Sequence, residues 1–243
     1  MGKFLPPAAS AHASAIDSMM LHVHWMVLGL FIGWAVYFIY VLFRYRSGRN
    51  PHASREGTRG GVAIFIFVGV IVAEAVLLIG SALPLWFDRT STPVPASNAV
   101  VVRIVAEQFA WNVHYAGADQ QFGEAKIALV SQDNPLGLDR DSRFGKDDIV
   151  VLNDIHLPIG RPAVFELSSK DMIHSFGVPA MRVKQDVVPG VRTFASFTPT
   201  MTGEFEVVCS QLCGAGHYRM RAVITVEPEE AFRKFLADEA GRR

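Results

Sequence analysis

The sequence has little cysteine, no excess of charge of either sign and few charged residues for its length. It contains two cysteines in 243 residues, which excludes a small scaffold held together by several disulfides. Lysine plus arginine and aspartate plus glutamate both number 23, and without a basic excess a nucleic-acid partner is not expected. Charged residues make up 19% of a chain that is half hydrophobic, an unusual balance for a soluble protein. The length suits a membrane anchor followed by one globular domain.

Two long apolar runs lie in the N-terminal part of the chain. The run Trp25–Phe43 has no charged residue, and at ~1.5 Å per residue it reaches about 28 Å, close to the thickness of a bilayer core. The second run, Val62–Trp86, carries only Glu74. This lone acid either serves a proton path or a partner subunit, or is a neutral glutamate within a helix contact. We therefore predict a two-helix transmembrane hairpin over residues 21–89, after a polar segment at 1–20.

A short basic loop separates the two apolar runs. Five arginines in it oppose a single glutamate, Glu56. The arginines are Arg44, Arg46, Arg49, Arg55 and Arg59. Under the positive-inside rule this loop is cytoplasmic. Both termini are then expected on the periplasmic side of a bacterial inner membrane.

Beyond a linker rich in proline and serine at residues 90–99, the hydrophobic pattern changes from helical to strand period. Short β-branched runs alternate with turn residues. They begin at Val100, Ile149, Ala163, Thr193, Glu204 and Ala222. This pattern predicts an all-β sandwich or small barrel over residues 100–227, with a long surface excursion at 117–146. Residues 228–243 are predicted to form an amphipathic helix that rests on this domain.

Both cysteines occur in a short C-terminal stretch that also holds a histidine and a methionine. Cys209, Cys213, His217 and Met220 follow one another as Cys-x3-Cys-x3-His-x2-Met. Two thiolates, an imidazole and a thioether form a soft donor set that favours copper over magnesium or calcium. His174, upstream, offers a second imidazole. Ligands on loops between strands are typical of a cupredoxin.

Each part of this pattern has a simpler explanation. Two lone cysteines in an extracytoplasmic domain often form a disulfide. A zinc site is a further alternative, although zinc sites rarely include methionine. If a metal binds, the residues allow either one ion with four ligands or two copper ions bridged by two thiolates. The complete pattern favours a copper site more strongly than any one of its parts does.

Together with His174, the motif resembles the binuclear copper A site of subunit II of haem-copper cytochrome c oxidases. The flanking stretches Asp171–Pro179 and Arg182–Gly190 agree with that family. The resemblance covers nearly the whole chain, because the two predicted membrane helices also fit. It implies a cupredoxin-like sandwich carried by a two-helix transmembrane hairpin.

The resemblance also implies the ligands and the function. The two cysteines bridge two copper ions; His174 and Met220 complete one, and His217 and the backbone carbonyl of Gln211 complete the other. The chain then accepts electrons from cytochrome c and passes them to haem in subunit I. There, oxygen is reduced to water and protons are translocated. No oxygen-reducing residue is implied in this chain, whose other implied partners are further membrane subunits and the lipid bilayer.

Two positions depart from the family. Gln211 stands where a glutamate commonly also binds a magnesium ion at the subunit interface, so we expect weak magnesium binding or none. The segment Gln108–Trp111 has Phe109 in place of the exposed tryptophan that receives the electron. Phe109 and Trp111 are the candidates for that role here. If both lie in a strand, Trp111 shares a face with Phe109; the alternative is that Trp111 belongs to the hydrophobic core. We accordingly expect a cytochrome c donor that is tethered or complex-bound.

A membrane-anchored copper carrier or sensor with a cupredoxin domain is the alternative function. A carrier needs an open, exchangeable site, whereas the six implied ligands fill the coordination of two metals. Purification as a haem-containing complex favours the oxidase, and purification as a lone copper protein favours the carrier.

Overall fold

The computed structural model describes residues 5–49, 52, 60–90 and 97–242. The chain forms two compact units. One is the helical unit of residues 15–90, and the other is a β-rich unit built from the remainder. The predicted combination of two apolar N-terminal helices and an all-β unit is confirmed.

The helical unit holds two long apolar helices. Helix α1 spans Ala13–Arg44, so it begins before the predicted boundary at residue 21. Helix α2 spans Gly61–Leu77, continues through a π-helical turn at Leu78–Ala82, and ends as α3 over Leu83–Thr90. Apolar side chains along both helices are exposed, and each helix is long enough to cross a bilayer. Because such a surface needs an apolar solvent, these are the membrane helices of the chain.

The π-helical turn in the second membrane helix has a local cause in the sequence. Pro84 lies two residues beyond its last residue, Ala82. Proline has no backbone N–H, and its ring crowds the carbonyl four residues earlier, which here belongs to Gly80. A wider π turn relieves that crowding. The helix therefore continues past Pro84 to Thr90.

The β-rich unit contains ten strands in two five-stranded sheets. The strands are β1 Val100–Glu107, β2 Ala110–Tyr115, β3 Ile149–Leu152, β4 Asp154–Pro158, β5 Ala163–Ser169, β6 His174–Val178, β7 Val183–Val187, β8 Thr193–Phe197, β9 Gly203–Cys209 and β10 Arg221–Glu227. The first sheet has the order β3-β2-β1-β5-β8, and the second has the order β4-β10-β9-β6-β7. All six predicted strands are present, although β9 and β10 each begin one residue earlier than predicted, while β2, β4, β6 and β7 were not predicted from the sequence.

The hydrophobic core lies between the two sheets. Strand β1 alternates buried and half-buried residues along its whole length, as expected of a strand with one face in a core. Phe165 of the first sheet and Phe176 of the second have ring centroids 5.2 Å apart. Trp111 meets Phe176 edge-on at 5.7 Å. These contacts across the gap identify the domain as the predicted β-sandwich.

The long connection between β2 and β3 contains little regular structure, as its polar sequence indicates. Within it the structure has one 3₁₀ turn, Ile127–Leu129, and one isolated bridge between Ala125 and Leu138. The C-terminal helix α4 spans Glu229–Gly241 and buries Phe232 against the sandwich.

The segment before the first membrane helix is part of the β-rich unit. The N–H of Ala9 donates to the carbonyl of Ala180 at 2.9 Å, and the carbonyl of Ala9 accepts from the N–H of Thr200 at 2.9 Å. The Ser10 hydroxyl donates to the carbonyl of Met181 at 2.8 Å. Ala9 is fully buried by these contacts. The backbone before α1 is therefore held within the β-rich unit.

Candidate metal centre

Strand pairing in the second sheet brings the predicted ligand segments to one end of the sandwich. His174 is the first residue of β6, and Cys209 is the last residue of β9. These strands are neighbours, and their register pairs Phe176 with Cys209. Met220 directly precedes β10, which is antiparallel to β9. Residues 210–220, the ligand loop, therefore connect two adjacent strands beside His174.

The Cys209 sulfur lies at the centre of one half of the donor cluster. Its Sγ is 3.7 Å from Sγ of Cys213. Nδ1 of His174 lies 3.9 Å from it, and the carbonyl oxygen of Gln211 lies 3.1 Å from it. A disulfide needs about 2.05 Å between sulfurs, so the cysteines are free thiols.

The Cys213 sulfur occupies the corresponding place in the other half. Nδ1 of His217 lies 3.6 Å from it, and Sδ of Met220 lies 3.8 Å from it. Each sulfur is thus flanked by one imidazole nitrogen and one further donor. The six predicted ligands are thus grouped around the two sulfurs, and their two thiols, two imidazoles and thioether suit copper.

The cluster is largely shielded from water. His174 and Cys213 are fully buried, while the His217 ring is partly exposed. Burial, together with the hydrogen bond from Cys209, raises the pKa of the Cys213 thiol to about 12. A metal bound by these thiols therefore displaces their protons.

Asp171 orients the His174 ring, a role that sequence reasoning missed. Its Oδ1 is 2.8 Å from Nε2 of His174, which leaves Nδ1 facing Cys209. Burial acts to raise the pKa of Asp171, but hydrogen bonds from His174, from the N–H of Gln108 and from the N–H of Met172 hold it below its usual value. A carboxylate behind a ligating histidine is a common feature of metal sites. The Asp-x-x-His spacing at 171–174 was the available signal.

The turn between β1 and β2 covers the ligand loop, which sequence reasoning also missed. The Gln108 side-chain amide donates to the Cys213 carbonyl at 2.7 Å and to Sδ of Met172 at 3.0 Å. The Phe109 ring lies directly on Gly216, where a Cβ would stand 2.4 Å from ring atom Cδ2. Glycine at position 216 therefore permits the close contact between this ring and the ligand loop.

The two aromatic residues suggested for electron acceptance occupy different environments. Trp111 is fully buried, and its ring meets that of His174 edge-on at 6.2 Å. Phe109 is in the turn before β2 rather than in a strand, so the expected sharing of one strand face with Trp111 does not hold. Phe109 is partly exposed at the surface, whereas the Trp111 ring is not accessible from solvent.

The chain is similar in sequence to known proteins. The family model described as cytochrome c oxidase subunit II, periplasmic domain, matches residues 100–227. The alternative cytochrome c oxidase subunit 2 of Bradyrhizobium diazoefficiens is 34% identical over 222 residues, covering 91% of this chain and 79% of that protein. Cytochrome c oxidase subunit 2 of Synechocystis sp. is 26% identical over 258 residues, covering 97% of this chain and 76% of that protein.

Among solved structures, this chain is similar to the periplasmic domain of subunit II of cytochrome oxidase of Bradyrhizobium japonicum. The match covers 62% of this chain and 98% of the chain in that structure. The TM-score is 0.44 and the sequence identity is 22%. The family match spans more than half of the chain, and the 34% identical relative is covered over most of its length. The chain therefore belongs to the cytochrome c oxidase subunit II family.

Proposed function

We propose that this chain is the electron-accepting subunit of a respiratory haem-copper oxidase, acting between cytochrome c and haem in subunit I. The observation that carries the proposal is the cluster of two sulfurs 3.7 Å apart, each with an imidazole nitrogen within 3.9 Å. A copper pair bound there supplies one-electron chemistry between the two haem proteins. The proposed ligands are His174, Cys209, Gln211 through its backbone carbonyl, Cys213, His217 and Met220. Oxygen reduction and proton translocation belong to the partner subunit.

The chain's own part in this function is to hold the ligands still. Asp171 fixes the His174 ring, and Gln108 holds the Cys213 carbonyl. Fixed ligands change position little when the charge of the site changes, which favours rapid electron transfer. If all six donors held a copper pair, no coordination position would remain for a substrate. This supports an electron-transfer site rather than an oxygen-reducing one.

We propose that the sandwich and both termini are periplasmic in a bacterial inner membrane. The pairing of Ala9 with Ala180 and Thr200 supports a common side for the N-terminal segment and the sandwich. The basic loop supports a cytoplasmic connection, although Arg55 and Arg59 lie outside the described residues, as do residues 91–96 of the linker. An impermeant label that reacts at Gly48 from outside intact cells would contradict this orientation.

The Gln211 side chain supports weak magnesium binding at the subunit interface, or none. It is exposed and neutral, and magnesium prefers a carboxylate. Its backbone carbonyl, 3.1 Å from the Cys209 sulfur, serves the copper site whatever the side chain is. A structure of the complex with magnesium held directly by the Gln211 amide oxygen would refute this proposal.

We further propose a cytochrome c donor that is tethered or complex-bound. The Phe109 ring, held against Gly216, offers a donor less surface than a tryptophan and no N–H. A tethered donor has a high effective concentration and needs little electrostatic steering. Reduction by the physiological donor should then depend weakly on ionic strength. Fast turnover with a small soluble cytochrome c that falls steeply with added salt would argue against tethering.

The function is tested on the full chain purified from membranes. We expect two coppers per chain, a mixed-valence paramagnetic-resonance spectrum and a co-purifying haem subunit. Cys209→Ser should abolish the spectrum, whereas Leu212→Ser, in the same loop but 75% exposed, should preserve it. One exchangeable copper per chain with no haem partner would instead identify a copper carrier or sensor.

A further inference from the structure

A groove with a volume of about 600 Å³ lies on the outer face of the first sheet. Its floor includes Arg103 and Val105 of β1 and Glu166 of the neighbouring strand β5. Ile104, between the two β1 residues, is buried in the core, so Arg103 and Val105 face away from the core. Parts of the segment 123–138, in the connection between β2 and β3, form the opposite wall, here called the roof. A volume of this size is typical of a binding site.

Contacts between the sheet and the connection hold the roof in place. Oδ2 of Asp148 lies 2.7 Å from Nε2 of His114 and accepts from the N–H of Gly123 at 2.7 Å. The Phe122 ring meets the His114 ring edge-on at 4.9 Å, and the guanidinium group of Arg103 lies 4.0 Å from the Phe122 centroid. Asp148 and His114 are buried, so water competes little for their hydrogen bond. The groove is therefore preformed, which lowers the cost of binding a partner there.

The sheet side of the groove is rich in positive charge. Three cations on this side face a single acid, and they are Arg103, Lys170 and Arg192 opposite Glu166. The acid is shared, because its Oε2 lies 2.8 Å from Nε of Arg103 and 4.0 Å from Nη1 of Arg192. Lys170 contacts Glu107, which does not line the groove, at 2.7 Å. Since one carboxylate serves two arginines, this side retains positive charge that attracts an anionic side chain.

The roof, in contrast, is apolar and open to solvent. Ile127 is 94% exposed and Val130 is 49% exposed, and both line the groove together with Leu136. The two charged residues on this side, Lys126 and Glu124, are of opposite sign. Apolar side chains grouped on a surface in this way are typical of an interaction site. The groove therefore has one cationic wall and one apolar wall.

We propose that this groove binds an extended segment of a partner protein in which acidic and apolar residues alternate. Successive side chains of an extended segment point to opposite sides. The acidic side chains then face the cationic floor, while the apolar side chains cover Ile127 and Val130. None of the six proposed copper ligands lines the groove, so this interaction surface is separate from the copper site and does not rest on the proposed function.

The binding test uses the full chain in detergent and a capped pentapeptide in which three aspartates alternate with two leucines. One control peptide has the same composition with the aspartates and leucines in separate blocks, and the other has asparagine in place of each aspartate. Saturation-transfer NMR titrations give the dissociation constants. We expect the alternating peptide to bind at least about fivefold more tightly than either control, because each control loses an ion pair or leaves a leucine partly uncovered.

The contribution of the roof is tested with Ile127→Ser. This substitution should weaken binding of the alternating peptide by about threefold to tenfold, because it removes part of the apolar surface that the peptide covers. Leu129→Ser is the matched control, since Leu129 lies in the same 3₁₀ turn and is 41% exposed but does not line the groove. It should stay within about twofold of the wild type. Melting temperatures show whether each variant is folded.

The contribution of the floor is tested with Arg192→Gln. We expect about threefold to fivefold weaker binding, the upper range for one exposed ion pair. Arg221→Gln is the matched control, because Arg221 is similarly exposed and also lies beside a glutamate, but on the other sheet. The proposal is overturned if the alternating peptide does not bind, or if either control peptide binds equally well. Wild-type affinity in Ile127→Ser or in Arg192→Gln would overturn it as well.

Discussion

Asp171→Asn removes the negative charge behind the His174 ligand and keeps the shape of the side chain. In the native site, Oδ1 lies 2.8 Å from Nε2 of His174 and 2.7 Å from the N–H of Met172, and Oδ2 accepts from the N–H of Gln108 at 2.7 Å. An asparagine supplies one acceptor oxygen and one NH₂ group. The new NH₂ group therefore faces one of the N–H donors that the carboxylate contacted, and His174 loses an anionic partner.

The size of the effect follows from the role of that partner. A carboxylate behind a ligating histidine raises the basicity of the ring and fixes its orientation, and its loss costs about 10- to 100-fold in metal affinity. At about 1.4 kcal/mol per decade, this corresponds to roughly 1.4 to 2.8 kcal/mol. His174 is fully buried, so water cannot replace the lost partner at no cost.

Copper affinity is measured by competition with a chelator, alongside the melting temperature. Asp186→Asn is the matched control because Oδ1 of Asp186 accepts from the Ser175 hydroxyl at 2.7 Å and from Lys184 at 3.0 Å, with no contact to a ligand. We expect Asp186→Asn to leave copper affinity within about twofold of the wild type. This is well short of the roughly tenfold loss of metal affinity typical when the partner of a ligand is changed. Equal losses in both variants, or no loss in Asp171→Asn, would refute the orienting role.

Three further predictions concern the β-rich unit. Gly216→Ala should lower the free energy of unfolding by about 1–3 kcal/mol, because the new methyl group overlaps the Phe109 ring. The control Gly241→Ala, where an added Cβ has no atom within 4 Å, should not destabilise the protein. Thermal melts of the two variants test this difference. Burial acts to raise the pKa of Glu229, but hydrogen bonds from two arginines hold it below the usual 4.5, so its stabilising effect is present above that pH and is lost as the pH falls. Glu229→Gln should therefore be less stable than the wild type at pH 7 and converge with it in acid, and a constant difference across pH would contradict this. Deleting residues 5–12 should lower the melting temperature of the β-rich unit, and an unchanged melt would show that their backbone hydrogen bonds add nothing.

The membrane helices and several strands were predictable because their signals are local. An uncharged run as long as Trp25–Phe43 has few stable environments other than a bilayer, whatever surrounds it. Strands such as β1 alternate strictly, so their period appears in the sequence itself. Strands β4 and β7 are short and carry charged or polar residues, and only pairing with β10 and β6 makes them strands.

The sequence by itself determined the donor set, since Cys209, Cys213, His217 and Met220 are held near one another by a short loop. It also determined which parts of the chain are apolar enough to span a membrane. Tertiary structure decided the rest, because hydrogen bonds between distant segments depend on the register of the sheets. Pairing of β6 with β9 brought His174 to the loop, and the β1–β2 turn placed Gln108 against it. Burial of Trp111 likewise followed from sheet packing, which no local pattern reports.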